Sequence, residues 1–164
     1  TTSTTLMMAL GDALAVSLME QREFKPDDFK VLHPGGNLGL QMLTVSQLMR
    51  NKSEMALVKD DLRMSDVISC MTETGFGVAV LVDKKGMLSG VITDGDLRRN
   101  INEILTYTPK DIATLDPISV KPSDLISVAL EKMEKSKIYS IIVAEKNQPV
   151  GLLRMHDVLR SGIK

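Results

Sequence analysis

The sequence repeats itself, and the repeat limits the folds open to it. Gly77–Arg99 aligns with Ile138–Arg160 at an offset of 61 residues, setting Gly90 against Gly151 and Asp96 against Asp157. Upstream, Val58 aligns with Val120 and Met71 with Met133 at one residue more, so a single insertion is expected near Gly75. A period of about sixty residues means two copies of one supersecondary unit. A unit that small rarely buries a sufficient core alone, so the copies must pack on each other and a functional site is expected at their seam.

Each copy reads β-α-β-β-α. In the first, Val45–Met49 is a short lead-in helix and Met55–Val58 a strand. Asp61 caps a helix over Leu62–Thr74, with Leu62, Val67, Ile68 and Met71 facing inward. Val78–Val82 is a continuous β-branched run, the mark of a buried strand. Lys84-Lys85-Gly86 turns the chain into a return strand, Leu88–Thr93, and a helix follows over Asp96–Asn102. Ile104–Asp111 connects to the second copy. There, Ile118–Val120 is a strand and Ser123 caps a helix over Asp124–Ser136. Tyr139–Val143 and Val150–Arg154 form a hairpin turning at Asn147-Gln148, and Asp157–Ser161 begins the last helix. Ahead of the repeats, Thr1–Thr5 can cap a helix whose Leu6, Leu10, Ala13, Leu14 and Leu18 share one apolar face. Pro26, Asp27 and Asp28 suit the first turn of a second short helix, which His33-Pro34-Gly35-Gly36 stops. The divisions are thus 1–43, 44–106 and 107–164.

Composition removes several function classes. The net charge of −1 offers no electrostatic footprint for nucleic acid, and the absence of Trp removes the best base-stacking platform. The single cysteine, Cys70, excludes an intrachain disulfide and fits a reducing cytoplasm; mid-helix beside apolar positions, it reads as a buried, inert thiol. No apolar run is expected to reach the ~20 residues of a membrane span. No Cys/His spacing fits a zinc site, so neither a metal nor a cofactor is expected. Beginning at Thr1, without an initiator Met, the chain looks like a cut through a longer protein.

The turn Gly90-Val91-Ile92-Thr93-Asp94-Gly95-Asp96 resembles that of the cystathionine-β-synthase (CBS) domain. Gly151-Leu152-Leu153-Arg154-Met155-His156-Asp157 carries the same turn with Arg in place of Thr. Two such units resemble a CBS pair over residues 44–164, implying an α/β (α+β) fold with a pseudo-twofold axis. Thr1–Thr5, Ala9–Ala15 and His33–Gly39 resemble the C-terminal end of a sugar isomerase (SIS) domain. That order of motifs is similar to the D-arabinose 5-phosphate isomerase family. The resemblance implies interconversion of D-ribulose 5-phosphate and D-arabinose 5-phosphate in the synthesis of Kdo for lipopolysaccharide. It also implies CBS pairs that dimerise within a homo-oligomer, a tetramer in the full-length enzyme. A nucleotide or nucleotide-sugar, such as the nucleotide-activated Kdo end product, would bind between the repeats.

Six residues stand out as site candidates. Aldose–ketose isomerisation moves a proton between adjacent carbons and needs an acid–base group tuned near neutrality, which imidazole supplies. The resemblance gives His33 that role in the intact enzyme, against a plain helix-stopping role; the chain alone is expected to be inactive. Asp96 and Asp157 can each accept hydrogen bonds from ribose hydroxyls or cap the helix each begins. Thr93 adds a hydroxyl suited to ribose or phosphate. Arg154 offers a planar fork to phosphate or carboxylate, or to a surface ion pair, and His156 sits beside it. Thr93, Asp96, Arg154, His156 and Asp157 are expected to meet in one crevice between the repeats. The alternative is an oligomerisation module that binds no ligand.

Overall fold

The computed structural model describes residues 1–24, 28 and 43–161. His33, its Pro34-Gly35-Gly36 turn, and Pro26 and Asp27 lie outside the described residues. Thr1–Leu40 and Gln41–Lys164 form separate compact units.

In the first unit, α1 spans Thr2–Gln21 with Thr1 at its N-cap. The Thr1 hydroxyl bonds the Ser3 and Thr4 hydroxyls, at 3.2 and 2.8 Å, rather than a helix N–H. Met7, Met8, Val16 and Met19 fill the faces between the leucines, so apolar side chains surround the helix instead of marking one stripe, and none is buried. Its best 18-residue window has a mean hydropathy of 1.3, long and apolar enough by length and composition to cross a membrane. The sequence expectation concerned an unbroken apolar run, and none is present: Gly11, Asp12 and Ser17 interrupt the helix, and only the average over the window is high.

The second unit holds two four-stranded sheets. After α2 (Val45–Leu48) come β1 (Arg50–Asn51), a 3₁₀ turn at Lys52–Glu54 and β2 (Ala56–Lys59). The first copy continues with α3 (Met64–Thr74), β3 (Val78–Val82), β4 (Leu88–Thr93) and α4 (Asp94–Arg99). The second follows with α5 (Pro109–Ile112), β5 (Thr114–Leu115), β6 (Ser119–Val120), α6 (Ile126–Ser136), β7 (Ser140–Glu145), β8 (Gln148–Arg154) and α7 (Met155–Arg160). One sheet runs β2-β3-β4-β5 and the other β1-β8-β7-β6. In each, a helical crossover joins a parallel pair (β2–β3, β6–β7) and a hairpin adds the antiparallel third strand.

The fourth strand of each sheet is exchanged. β5, which precedes the second copy's own strands, pairs with β4 of the first; β1, which precedes the first copy's strands, pairs with β8 of the second. The two sites are built alike. Gly90 lies opposite Leu115, and Gly151 opposite Asn51. A Cβ on Gly151 would stand 2.6 Å from the Arg50 carbonyl oxygen; on Gly90 it would stand 3.2 Å from that of Thr114. The repeated turn therefore opens with Gly because a strand from the other copy passes over it.

Strand β3 is buried on both faces, as its β-branched run requires. Ala79 and Leu81 pack with Met64, Val67 and Met71 of α3 and with Ile92. Val78 and Val80, on the opposite face by the period of two, pack with Ile142, Ala144 and Leu152 of the other sheet. The second face joins the copies. Cys70 is half-buried at the margin of the α3 core, less enclosed than expected.

Strand register moves the expected insertion. Val78 pairs with Thr93 and Ser140 with Arg154; Val82 pairs with Leu88 and Ala144 with Pro149. The offset of one extra residue thus persists through β3, and the insertion lies in the first hairpin turn, not near Gly75. Asp83 accounts for the longer turn: its Oδ1 accepts from the N–H groups of Lys85 and Met87, at 2.8 and 2.9 Å. The second hairpin uses a two-residue turn at Lys146-Asn147, one position earlier than expected, with φ of 48° and 63°. Paired positive φ values match the right-handed twist of the strands. Helices α3 and α6 start two residues after their expected bounds, because Leu62 N–H and Asp124 Oδ2 close turns onto Lys59 and Lys121. Asn147→Ala is expected to cost about 1 kcal/mol, since Asn tolerates left-handed backbone better than Ala. Thermal denaturation checks this, with Asn147→Gly expected near wild type.

Candidate ligand-binding cleft

The two copies leave a cleft of about 520 Å³ between them. Val78, Val91, Ile142 and Leu152 give it an apolar floor. One wall is the first copy's turn, with Thr93, Asp94, Gly95, Asp96 and Arg99; the other is the segment Lys137–Ser140 with Thr114, Pro117 and Ile118 from the exchanged strand and its exit. Two aromatic rings line it, Phe76 and Tyr139, the latter 78 % exposed. An apolar floor with a polar rim suits a planar heterocycle carrying a hydroxylated or charged tail.

Thr93 and Asp96 shape the wall by capping α4. Asp96 Oδ2 accepts from the Thr93 N–H at 2.8 Å and from the Thr93 hydroxyl at 2.6 Å. Its Oδ1 accepts from the Arg99 guanidinium. Asp96 is the one buried charged residue among those described, and these bonds offset its loss of water. Gly77 closes the same corner. It has φ of +65°, and a Cβ there would stand 2.5 Å from Asp94 Oδ2.

The second copy's turn is built differently. The Arg154 guanidinium donates to both Asp157 oxygens at 2.8 Å, and Arg50 donates to the same pair at 3.2 and 3.3 Å. The Arg154 fork, aided by Arg50, holds the Asp157 carboxyl far below the usual carboxylate range despite some desolvation. Arg154 also lies over the Phe76 ring, 4.3 Å from its centroid, in cation–π geometry.

Thr93 and Asp96 therefore line the cleft, while Arg154, His156 and Asp157 do not. Asp157 borders a second, more open hollow of about 480 Å³ with Gln47, Arg50, Glu54 and Arg160. His156 is exposed on α7. The structure thus separates the two acidic turns that the repeat suggested would share a crevice. Phe76, Tyr139 and Arg99 are not among the sequence candidates. Aromatic scarcity is the signal that could have found two of them: with no Trp and only Phe76, Tyr107 and Tyr139 in the repeats, two of three rings fall just ahead of equivalent strands. Among the described residues no group of three or more His, Cys, Asp or Glu side chains could hold a metal ion.

Two β-α-β-β-α units that exchange edge strands and leave a ligand-sized cleft at their seam make a tandem domain pair. The chain belongs to the CBS-domain family, whose family model matches residues 45–103 and 110–164. It is similar to the arabinose 5-phosphate isomerase KdsD of Escherichia coli (strain K12), 37 % identical over 167 residues that cover 99 % of this chain and 51 % of the relative. The chain spans about half the length of the curated relatives it matches. Among solved structures it resembles CBSX2 of Arabidopsis thaliana in complex with AMP, with a TM-score of 0.66 and 24 % identity over 73 % of this chain and 95 % of that one. It also resembles the CBS domain pair of protein MJ0100 in complex with 5′-methylthioadenosine and S-adenosyl-L-methionine, with a TM-score of 0.67 and 18 % identity over 73 % of this chain and 94 % of that one. At those identities the likeness shows the shared fold.

Proposed function

We propose that residues 44–106 and 107–164 are the regulatory and assembly module of a D-arabinose 5-phosphate isomerase, and that residues 1–43 end its SIS domain. Identity to KdsD along nearly the whole chain supports this. In the intact cytoplasmic enzyme, His33 serves as an acid–base group for the ribulose–arabinose 5-phosphate interconversion that feeds Kdo and lipopolysaccharide synthesis. This chain alone carries no turnover.

The cleft carries the regulatory reading. Its floor takes the base of a nucleotide or nucleotide-sugar against Tyr139 and Phe76, and the Thr93–Asp96 wall meets the ribose and phosphate. Binding regulates only by favouring one state of the catalytic domain over another. A second reading, a homo-oligomerising scaffold without ligand, draws on the exposed Leu125, Val128 and Leu159 beside and on α6 and α7.

Calorimetric titration with AMP, ATP, CMP and a CMP-sugar separates the two. At least one nucleotide is expected to give saturable heat. Tyr139→Ala is expected to weaken that binding about tenfold or more, because base–aromatic stacking is worth about 1–3 kcal/mol. Silence with all four ligands, with the oligomer intact by sedimentation, rejects the sensor and leaves the scaffold.

A further inference from the structure

The two copies are related by strand exchange, so the cleft should have a twin. Strand register gives its parts: Asp157 stands for Asp96, Arg160 for Arg99, Arg50 for Thr114, and Phe76 for Ile138. Three of these border the second hollow, but Phe76 does not. What separates Phe76 from them is Arg154, the residue in Thr93's position. Its guanidinium lies on the Phe76 ring and grips Asp157 with both arms. Thr93 bonds Asp96 through its hydroxyl but carries no guanidinium to lie across the cleft, which is open.

We propose that Arg154 is an internal plug: it occupies the twin cleft where a planar ligand group would lie, so each chain takes one nucleotide rather than two. This rests on the nucleotide reading of the first cleft. Two observations make the plug a stable one. The Arg154 side chain is only 23 % exposed, which limits competition from water. Arg50 braces Asp157 from β1, fixing the carboxylate that Arg154 holds. The occupancy of the two clefts is then set by a single side chain at the start of α7.

The test is Arg154→Thr, which copies the open turn. Thr can cap α7 as Thr93 caps α4, so the variant is expected to fold; Arg154→Ser, also a capping residue, replaces it if circular dichroism shows otherwise. Each protein is titrated with AMP, ATP and CMP and the stoichiometry per chain is read. One equivalent for wild type and two for Arg154→Thr is the expected result. A gain of one equivalent from zero still supports the plug, while rejecting nucleotide binding at the first cleft. Two equivalents already in wild type overturn the plug and leave the nucleotide reading standing. A folded variant with unchanged stoichiometry overturns the plug, and no binding by either protein rejects both proposals.

Discussion

Gly151→Ala is expected to destabilise the second unit by about 3 kcal/mol, at the upper end of overpacking costs. The new Cβ would stand 2.6 Å from the Arg50 carbonyl oxygen and 2.7 Å from Met49 Sδ. The methionine can swing away, but the carbonyl belongs to β1, whose pairing with β8 spans two residues. Strand β1 must move off or β8 must bend. Gly90→Ala offers the calibration. Its nearest backbone contact is 3.2 Å, to Thr114 O, so a shift of a few tenths of an ångström suffices. A cost of about 1 kcal/mol is expected there. Urea denaturation of both variants measures the difference. Equal losses at the two glycines would show that the distance to the exchanged strand's carbonyl oxygen does not set the cost.

The repeat pattern makes the sheets legible, and local chemistry explains which parts are readable. Val78–Val82 declares itself because a strand covered on both faces has no polar alternation to confuse it with a surface strand. The helix over Met64–Thr74 is equally plain from its apolar spacing. Strands β1 and β5 leave no such trace. Each is two residues long and owes its existence to a partner in the other copy, and Arg50-Asn51 and Thr114-Leu115 have no pattern of their own. Register, too, escapes the alignment, because glycine matches alone cannot place a one-residue gap that Asp83's side chain stabilises in the turn. Thr93 and Asp96 are legible as cleft residues because their turn repeats. The same logic gives Asp157 that role, and the structure gives it another. Its second arginine, Arg50, lies 107 residues away in sequence, where no spacing rule reaches.

Asp157→Ala is the counterpart at the other end of the Arg50 contact, with an expected loss of about 2 kcal/mol at neutral pH. Breaking a paired, partly buried charge leaves its partners without their hydrogen bonds, and bonds to charged groups are worth about 1.5–3 kcal/mol. Arg154 would lose both its bonds to Asp157, and Arg50 would be left with Glu54 alone. The effect carries a pH signature of fixed sign. In the unfolded chain the Asp157 carboxyl titrates near the ordinary value of about 3.9, and in the folded protein the Arg154 fork holds it far lower. Its contribution is therefore complete above about pH 5 and is lost as acid protonates the folded carboxyl. Asp83, Asp111 and Glu131 are also lowered, by backbone N–H groups, Thr108 and Lys135 respectively, so both proteins weaken in acid. The wild type must weaken faster, and the gap between the two stability curves should close from about pH 5 toward about pH 2. A gap that stays constant across that range would mean that Asp157 acts by packing rather than by charge. Combining Asp157→Ala with Gly151→Ala adds a second constraint. Arg50 supplies the carbonyl that obstructs one substitution and the guanidinium that the other releases, so residues sharing such a partner should not act independently. The double variant is expected to lose less than the sum of the singles, because a β1 already displaced by the methyl group of Gly151→Ala no longer holds Arg50 against Asp157.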